Sequence, residues 1–562
     1  MKDEIRKIAI KNALEHDGRA DFGAVMGRSM ASFNELKKDP KGTASVVQEV
    51  VAEVNSRSLD ELKELNEEIG DPKKLKKREK MDPMPDLVEE KEKVVMRFAP
   101  GPSGPLHIGH TRAAILNDEY VKRHGGKFIL RLEDTNPEKI DPEAYRMIPE
   151  DLKWLGVEVG STYLQSERME RYYKISMELI EREKAYVCTC DADHWRDLKN
   201  RKKPCPHRDT GADTNLELWE RMLEGSFSEG EASLMIKTDI EHKNPAVRDF
   251  VGYRIKDAVH PNTGDRYHVY PLYNLSVAID DHLMGCTHVL RGKDHLNNTY
   301  RQEYVYKHMG WDKPEFIHYG LVSIPDTVLK TSIIREQISE GKYTGWDDIR
   351  LGTLRGLASR GIKPESLREY WKGVGIKPVD ITFSWENLFS INRSRIDASA
   401  IRLFFVEDPV EIRISSEGSL AGKAPLHPEY PEKGYREYSL DPDNGCIPVS
   451  VPSEELKELK KGDVLRLKDL CNVLVEDPET GSFRYLGKDV ETLKESGGKI
   501  IQWVEKDGID CEVILPDGGV HKGVAEKEAA KYARLESTVQ FERVGYCKLY
   551  MDDGIKARFS HS

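Results

Sequence analysis

Two histidines spaced three residues apart, His107 and His110, are the side chains of this chain best placed to do chemistry. They follow a short apolar run, Val94–Phe98, and a stretch whose three prolines and two glycines exclude regular structure and require a sharp turn. The next residues, Thr111–Tyr120, are rich in helix formers, so both imidazoles should project from one face of the first helical turn. A helix N-terminus presents unpaired N–H groups and partial positive charge, so this arrangement favours a bound phosphate.

Two arginines, Arg97 and Arg291, lie at the ends of predicted strands. A second strand over Lys127–Leu132 ends at Glu133, and the run Thr287–His295 predicts another strand that ends in charged groups. Because ligands of doubly wound sheets bind beyond the strand ends, we expect both arginines to face one crevice. A guanidinium holds a carboxylate in a bidentate fork, so the pair indicates an acidic ligand. Structural salt bridges are the competing explanation for both arginines.

Four soft donors, Cys188, Cys190, Cys205 and His207, form a candidate metal site in a stretch flanked by lysines and arginines. The set suits a tetrahedral zinc ion in a closed, structural site. The one-residue spacing within each pair is tighter than the commonest finger pattern, and unligated thiols packed in a β-rich insertion remain the alternative. Eight cysteines in a chain of 562 residues do not indicate a disulfide framework.

The length and composition limit the classes of protein to which this chain can belong. A chain of 562 residues is too long for one core, and about three to five domains are expected. Hydrophobic content of 38% with 33% charged residues is typical of a soluble globular protein. No apolar run reaches membrane-spanning length and residues 1–4 do not begin a secretory leader, so we expect a cytoplasmic protein with no membrane partner. The formal net charge of -12 neither supports nor excludes RNA, because basic strips can lie on an acidic surface.

The N-terminal part reads as helical. The valines of 46–54 have helical spacing, and Leu59, Leu62 and Leu65 repeat every three residues. The pattern breaks at Gly70-Asp71-Pro72, and a basic run follows, which is either a solvated linker or a strip for RNA: Lys73, Lys74, Lys76, Lys77 and Arg78.

From about residue 91 strands alternate with helices, and the segment Pro271–His282 is interpreted as a strand and loop. A helical segment is predicted over about 335–395. Beyond about 400, short Val/Ile/Leu runs alternate with the turns Asn444-Gly445, Glu479-Thr480-Gly481 and Asp517-Gly518-Gly519, which favours an antiparallel sandwich or barrel.

Residues 107–110, His-Ile-Gly-His, resemble the ATP-binding "HIGH" motif of the class I aminoacyl-tRNA synthetases. The lead-in at 97–104, Arg-Phe-Ala-Pro-x-Pro-Ser-Gly, is similar to the glutamyl branch; the glutaminyl branch shows a Phe-Pro-Pro-Glu-Pro-Asn-Gly type of sequence. In the tail, residues 427–436 and 539–546 resemble the anticodon-binding barrels of archaeal and eukaryotic glutamyl enzymes and of glutaminyl enzymes. The resemblance covers nearly the whole chain and is weakest over the first 90 residues.

The resemblance implies a multidomain protein with α/β and all-β parts, built around a Rossmann-type, doubly wound catalytic domain. The implied domains are an N-terminal helical module and linker (1–90), the first half of the catalytic domain (91–186), an insertion that binds the acceptor stem (187–265), the second catalytic half (266–334), a helical connector (335–398) and C-terminal antiparallel β-barrels that bind the anticodon (399–562).

The resemblance also implies a reaction. Glutamate's α-carboxylate attacks the α-phosphate of ATP, which acts with Mg²⁺, to give glutamyl-adenylate and pyrophosphate. The acyl group then moves to the terminal ribose of tRNA(Glu), with tRNA(Gln) as a further candidate. ATP–pyrophosphate exchange should depend on tRNA, and the enzyme is expected to be a monomer.

The implied site residues fall into three groups. Those for ATP are Pro102, Ser103, Gly104, His107, Gly109, His110 and Lys330. Those for L-glutamate are Arg97, Ala99, Glu133, Tyr273 and Arg291, with Glu133 and Tyr273 at its amino end. The catalytic residues are His107, His110, Lys330 and Ser332.

One position departs from the family. Its mobile "KMSKS" loop, whose lysines steady pyrophosphate, matches Lys330 and Ser332, but Ile333 stands where the family usually has a second lysine. An aliphatic side chain cannot offset phosphate charge, so either Arg335 supplies it or the step is slower. A solvated loop lysine is the alternative reading of Lys330.

Two alternatives stay open. A glutaminyl-tRNA synthetase on the same scaffold is opposed by the lead-in and by Arg291, since the glutaminyl enzymes lack an arginine there; glutamine would leave that charge uncompensated, at a cost of about a few kcal/mol. A non-catalytic tRNA-binding paralogue is suggested by Ile333. Residues that could read anticodon bases are Arg436, Arg466, Arg484, Tyr485, Trp503 and Arg543.

Overall fold

The computed structural model describes residues 2–16, 18–33, 36, 39–69, 82–87 and 93–562, and the chain divides into two compact units, Met1–Pro85 and Asp86–Ser562. The predicted break at Gly70–Pro72 and the basic run from Lys73 to Arg78 lie outside the described residues. None of the described helices combines the length and the apolar character that a bilayer crossing requires.

The first unit is helical, as the periodicity predicts. Its helices are α1 (Lys2–Glu15), α2 (Phe22–Ser32), α3 (Pro40–Asn55) and α4 (Leu59–Ile69). Val47, Val50 and Val54 of α3 pack with Ile8 of α1 and Leu62 of α4 in a core of their own.

The second unit begins with an α/β part. Its first elements are β1 (Val95–Phe98), α5 (Ile108–Arg123), β2 (Lys127–Leu132), α6 (Ala144–Trp154), β3 (Ser161–Leu164) and α7 (Met169–Glu181). The inserted elements are β4 (Ala185–Cys188), α8 (Ala192–Asn200), α9 (Ala212–Leu223), β5 (Ser233–Ile236), β6 (Phe250–Ile255) and β7 (Val269–Pro271). The α/β part then resumes with α10 (Tyr273–Leu283), β8 (His288–Gly292), α11 (Leu296–Met309), β9 (Glu315–Tyr319) and β10 (Val322–Ser323).

The topology of the α/β part is doubly wound. Strands β1, β2 and β3 pair in parallel in that order, and β8 pairs in parallel with β9. The Thr287 N–H donates to the Val95 carbonyl oxygen at 2.9 Å, so the chain enters β8 beside β1. The strand order therefore reverses between β1 and β8, and their carboxyl ends, near Arg97 and Arg291, border the crevice expected at such a switch point.

The interpretation of Pro271–His282 as a strand and loop is wrong, because the chain forms helix α10 after β7 ends at Pro271. Seven consecutive residues of α10, from Leu275 to Asp281, are buried. A helix buried on all sides shows no amphipathic period, so its apolar run resembles a strand.

The insertion is a four-stranded antiparallel sheet in the order β4-β5-β6-β7, flanked by α8 and α9. The sheet spans residues 185–271, slightly more than the predicted 187–265. The helical connector follows with α12 (Thr331–Ser339), α13 (Leu354–Ser359), α14 (Pro364–Val374), β11 (Ile381–Thr382) and α15 (Trp385–Ile396).

The C-terminal part is rich in β-structure, as expected. Its elements are β12 (Ile401–Leu403), β13 (Phe405–Glu407), β14 (Pro409–Ser415), β15 (Leu420–Pro425), β16 (Tyr435–Leu440), β17 (Cys446–Pro452), α16 (Ser453–Leu456), β18 (Val464–Leu467), β19 (Cys471–Asp477), β20 (Ser482–Gly487), α17 (Val490–Ser496), β21 (Lys499–Ile501), β22 (Val504–Glu505), β23 (Ile509–Ile514), β24 (Val520–Ala525), α18 (Ala529–Arg534), β25 (Thr538–Phe541), β26 (Gly545–Asp552) and β27 (Gly554–His561).

These strands form two seven-stranded sheets and a separate pair, β15-β16. One sheet has the order β21-β18-β19-β20-β14-β17-β22 and the other β12-β25-β26-β27-β23-β24-β13. Most neighbours are antiparallel, but four pairs of strands that are not consecutive in the chain are parallel: β12/β25, β14/β20, β18/β21 and β23/β27. The turns at 479–481 and 517–519 close hairpins, whereas Asn444-Gly445 links strands of different sheets.

Candidate active site

The two histidines cap the helix that they precede. His107 is the N-cap of α5: its Nδ1 accepts from the Gly109 N–H at 3.1 Å, and its own N–H donates to Nδ1 of His110 at 3.2 Å. The two rings are stacked with centroids 3.8 Å apart. Both imidazoles are therefore fixed on the first turn of α5, as the spacing predicts.

The same contacts fix the protonation of the rings. Burial lowers the pKa of His107 to about 4, and burial together with the neighbouring His107 holds the pKa of His110 well below its ordinary value. A neutral imidazole whose Nδ1 accepts a hydrogen bond must carry its proton on Nε2. Each ring can therefore donate from Nε2 to an anionic oxygen without being charged itself.

Two glycines permit close approaches here. A Cβ on Gly109 would lie 2.9 Å from Cε1 of His107, so the ring can fold over the helix terminus only because this residue has no side chain. Gly104 has φ +157°, and a Cβ there would lie 3.1 Å from Cγ2 of Thr331. The turn before α5 thus packs directly against the start of α12.

A cavity of about 430 Å³, here called the crevice, opens at the ends of β1 and β8. The predicted site residues that line it are Arg97, Ala99, Gly109, His110, Glu133, Tyr273 and Arg291. All five residues expected to bind glutamate thus share one cavity with His110. The predicted residues that are not part of its lining are Pro102, Ser103, Gly104, His107, Lys330 and Ser332.

Arg97 has a buried carboxylate partner, as the salt-bridge reading expects. Its Nε donates to Oδ1 of Asp281 at 3.1 Å, and Nη1 of Arg131 donates to the same oxygen at 2.6 Å. Nη2 of Arg131 also contacts Oε1 of Glu133 at 3.3 Å. The two guanidinium groups keep the pKa of Asp281 below its ordinary value despite burial. Arg97 lines the crevice while its charge is already balanced.

Arg291 differs. Its Nη2 donates to Oγ1 of Thr299 and to Oε1 of Gln302, both at 2.7 Å, and its Nη1 reaches the Tyr273 hydroxyl at 3.4 Å. Within the part of the chain that the structure describes, no carboxylate forms an ion pair with this guanidinium at 4.0 Å or less. Only 5% of the residue is exposed, and burial lowers its pKa. Arg291 is a buried cation in the crevice without a counter-charge.

Glu133 and Tyr273 form a wall between the crevice and a second cavity of about 510 Å³. Burial raises the pKa of Glu133 to about 7, against the opposing effect of Arg131 and Arg97. The second cavity, here called the cationic pocket, lies against the insertion; its basic and indole side chains are Lys139, Trp195, Lys199, Arg254 and Arg301.

The loop before α12 reaches the crevice through Leu329. Lys330 is the N-cap of α12, and its side chain is exposed. Arg335 does not extend into the crevice; its Nη2 donates to the Ser103 carbonyl oxygen at 2.6 Å and pairs with Asp141 at 3.0 Å. Ile333 is 37% exposed. The missing lysine is therefore not replaced by Arg335 in this structure.

The four predicted metal ligands come together. All four donor atoms of Cys188, Cys190, Cys205 and His207 lie within 4.8 Å of one another. The Sγ atoms of Cys188 and Cys205 are 3.4 Å apart, and Nδ1 of His207 lies 3.4 Å from Sγ of Cys190. A tetrahedral zinc ion requires edges of about 3.8 Å between sulfurs and about 3.5 Å from sulfur to nitrogen, so the residues fit this metal. Thr189 bonds Nε2 of His207 at 3.0 Å and turns Nδ1 toward the sulfurs.

Among the residues suggested for reading RNA bases, Arg436 and Trp503 are unsuited. Arg436 is buried and pairs with Glu526, and Trp503 lies in the core of the first C-terminal sheet. Arg543 instead lines a cavity of about 410 Å³ between the two sheets, together with Arg402, Lys468, Gln540 and Glu542 among others. The structure shows no such cavity, among those described, beside Arg466, Arg484 or Tyr485.

Sequence reasoning missed several residues around the crevice. Asp281 was hidden because it was assigned to a loop, and its partner Arg97 is 184 positions away in the chain. Thr299 and Gln302 were detectable, because they follow Arg291 closely and lie three apart on one face of α11.

Comparisons with known proteins show the family to which most of the chain is similar. Residues 93–398 match the family model described as tRNA synthetases class I (E and Q), catalytic domain, and residues 400–487 match the anti-codon binding domain of the same family. A glutamate--tRNA ligase of Methanopyrus kandleri is 48% identical over 100% of this chain and 99% of its own length. The chain is also similar to glutamate--tRNA ligases of Methanocaldococcus jannaschii (47% identity, 100% of each chain) and Thermoplasma volcanium (45% identity, 100% of each chain).

Proposed function

Because the chain belongs to the class I tRNA synthetases of the glutamyl and glutaminyl family, we propose that it is a ligase that joins L-glutamate to the 3′ end of tRNA(Glu) at the expense of ATP. The observation that carries the choice of glutamate is Arg291, a buried guanidinium at the end of β8 to which the described residues offer no carboxylate partner. A γ-carboxylate supplies the missing charge, whereas the amide of glutamine does not. The glutaminyl alternative is not favoured.

Charging assays test this function. With tRNA(Glu) and ATP we expect glutamyl-tRNA, AMP and pyrophosphate, and glutamine should be charged at least about a thousandfold less efficiently. Preference for glutamine would establish the glutaminyl alternative, and tRNA binding without adenylate formation would establish a non-catalytic paralogue. The same assay with tRNA(Gln) decides whether it is a second substrate.

ATP as substrate, with Mg²⁺, is general to the class I synthetase family. We propose that the triphosphate lies against the turn at 102–104 and the first turn of α5. His107 and His110 donate from Nε2 to phosphate oxygens, and Mg²⁺ bound to those phosphates would offset part of their charge. The α-carboxylate oxygen of glutamate bonds to the α-phosphorus as the bond to pyrophosphate breaks. A ribose hydroxyl then takes the acyl group and releases AMP.

The substrate's α-ammonium is assigned to Glu133 and Tyr273. Since Glu133 has a raised pKa of about 7, it is protonated below that pH and cannot pair with an ammonium group. We therefore expect the KM for glutamate to rise as the pH falls from about 8 to about 6. Steady-state kinetics across this range check it. Glu133→Gln should remove the pH dependence, and a KM that stays constant in the unmodified protein would contradict the assignment.

Lys330 is assigned to the pyrophosphate as the loop before α12 closes, with Ser332 beside it. Because Ile333 is 37% exposed, a lysine fits there without burying its charge. We expect Ile333→Lys to accelerate ATP–pyrophosphate exchange by about tenfold, since one added cation faces the developing charge. Ile333→Gln, which is polar but neutral, is the matched control. Equal rates for both variants would contradict this role.

We propose that Cys188, Cys190, Cys205 and His207 hold one structural zinc ion, which cross-links the end of β4 to the loop after α8. Elemental analysis of the purified protein should give about one zinc per chain. Cys190→Ser should lose the metal and lower the Tm, whereas Cys446→Ser, at a half-buried cysteine outside the cluster, should keep both. Retention of zinc by Cys190→Ser would disprove the ligand set.

The tRNA is proposed to contact two cavities. The acceptor end lies in the cationic pocket, where Trp195 offers a stacking surface and Lys199, Arg254 and Arg301 offer charge for phosphates. The anticodon lies at the cavity beside Arg543, between the two C-terminal sheets. We also propose a cytoplasmic monomer; sedimentation velocity tests the monomer.

A further inference from the structure

The partners of Arg291 differ in kind from those of Arg97, Arg131 and Arg168, while Arg112, also in the crevice lining, donates to the backbone carbonyl oxygens of Gly320 and Gly375. Arg97 and Arg131 share the carboxylate of Asp281, and Arg168 donates to Asp280 at 2.7 Å. Thr299 and Gln302, the acceptors of Arg291 on α11, are both neutral.

A comparison of the buried positive and negative groups in this cluster also singles out Arg291. Four guanidinium groups, those of Arg97, Arg131, Arg168 and Arg291, surround the carboxylates of Asp280, Asp281 and Glu133. Contacts within 4.0 Å assign every one of these carboxylates to an arginine other than Arg291. The excess positive charge of the cluster therefore resides on Arg291.

An amide at position 302 costs free energy of folding, because one of its two polar groups is left unsatisfied. Its Oε1 accepts from Arg291, but its Nε2 is buried and has no hydrogen-bond partner. A glutamate of the same shape would have no donor to leave unsatisfied and would form an ion pair with Arg291. For the stability of the fold alone, glutamine at position 302 is therefore less favourable than glutamate would be. This points to a functional reason for a neutral side chain at this position.

Thr299 is oriented to accept. Its hydroxyl can donate its single proton to the His295 carbonyl oxygen at 3.3 Å, and it also contacts Nε2 of His318 at 2.9 Å. Burial and the positive charge of Arg291 lower the pKa of His318 to about 4, so this neighbour adds no charge at neutral pH. The oxygen of Thr299 thus keeps a lone pair for Arg291.

We propose that Gln302 and Thr299 are specificity-determining positioning residues: as neutral acceptors they hold the fork of Arg291 in place and leave its charge for the γ-carboxylate of the substrate. This inference rests on the proposed function. Neither residue needs to contact glutamate, and both act through the guanidinium. A negative charge at position 302 would occupy Arg291 before the substrate arrives and would remove the advantage of glutamate over glutamine.

The test is Gln302→Glu in the full-length protein, with tRNA-dependent ATP–pyrophosphate exchange measured for glutamate and for glutamine. We expect the KM for glutamate to rise by about a hundredfold and the preference for glutamate over glutamine to fall by about as much, while the KM for ATP changes little. Gln302→Met, which is neutral and of similar size but lacks the acceptor oxygen, should lower kcat/KM for glutamate by about tenfold through lost positioning and should still prefer glutamate over glutamine, because no negative charge is added. A Gln302→Glu variant that keeps both the KM and the preference within about twofold overturns the proposal.

A double variant with Arg291→Ala distinguishes a positioning role of Gln302 from general damage to the fold of the crevice. In an Arg291→Ala background, Gln302→Glu should have almost no further effect on glutamate, because the group it acts through is gone. A full and independent loss in that background would overturn the proposal. Thr299→Val should lower kcat/KM for glutamate by about tenfold and Thr299→Ser should restore it. If the unmodified protein does not charge glutamate at all, the proposed function fails instead.

Discussion

We expect Arg291→Ala to lower kcat/KM for glutamate by about a hundredfold to a few thousandfold. Truncating one partner of a buried, hydrogen-bonded charge pair costs about 3–5 kcal/mol, and each 1.36 kcal/mol is about tenfold in rate. Here the loss is on the substrate side, since Arg291 has a free charge for the γ-carboxylate, whereas the other buried arginine of the lining without an ion pair among the described residues, Arg112, already donates to the carbonyl oxygens of Gly320 and Gly375. The measurement is steady-state aminoacylation of tRNA(Glu) with glutamate and with glutamine as competing substrates.

The matched control is Arg291→Lys, which keeps a charge and loses the fork. Because an ammonium cannot contact Thr299, Gln302 and a carboxylate in one plane, we expect an intermediate loss of about tenfold to a hundredfold. Glutamine should suffer little in either variant, so the preference for glutamate should fall. Equal losses for the two amino acids would show that Arg291 supports the fold of the crevice rather than the choice of substrate.

We expect His110→Ala to reduce the rate of glutamyl-adenylate formation by about a hundredfold to a thousandfold. The expected loss is that of one preorganised donor facing charge that develops in the transition state. His110 lines the crevice and donates from Nε2, while its Nδ1 is engaged by the His107 N–H. Single-turnover measurement of adenylate formation, with tRNA present, checks this.

The pH profile distinguishes a neutral donor from a cation. Because the pKa of His110 is held well below its ordinary value, the ring stays neutral across about pH 6 to 8, and kcat should show no inflection from this imidazole there. A control at His124, the C-cap residue of α5 remote from the first turn, should leave the rate unchanged as His124→Ala. A rate that falls as the pH rises through about 6.5 would require a protonated imidazole and would refute the neutral donor.

Local patterns predicted the elements that carry the site. The prolines and glycines before His107 impose a turn, and Lys127–Leu132 forms a strand with the predicted bounds. Sequence periodicity did not identify the secondary structure of a segment that is buried on every side. The sequence indicates a strand and loop in place of helix α10, because the apolar residues of this helix are not confined to one face. Asp281 lies on the same helix, so the sequence does not identify it as the partner of Arg97.

Residues close together in the chain specify which chemical groups are available and, through turns, caps and strand ends, where many of the elements begin and end. The sequence placed Arg97, Glu133 and Arg291 at strand ends and grouped the four sulfur and nitrogen donors. Only the tertiary structure decided which of these charges are already balanced. Asp281 neutralises Arg97 from 184 residues away, whereas Arg291 meets only neutral acceptors. Charge balance depends on distance in space within a buried cluster, and spacing along the chain does not specify it.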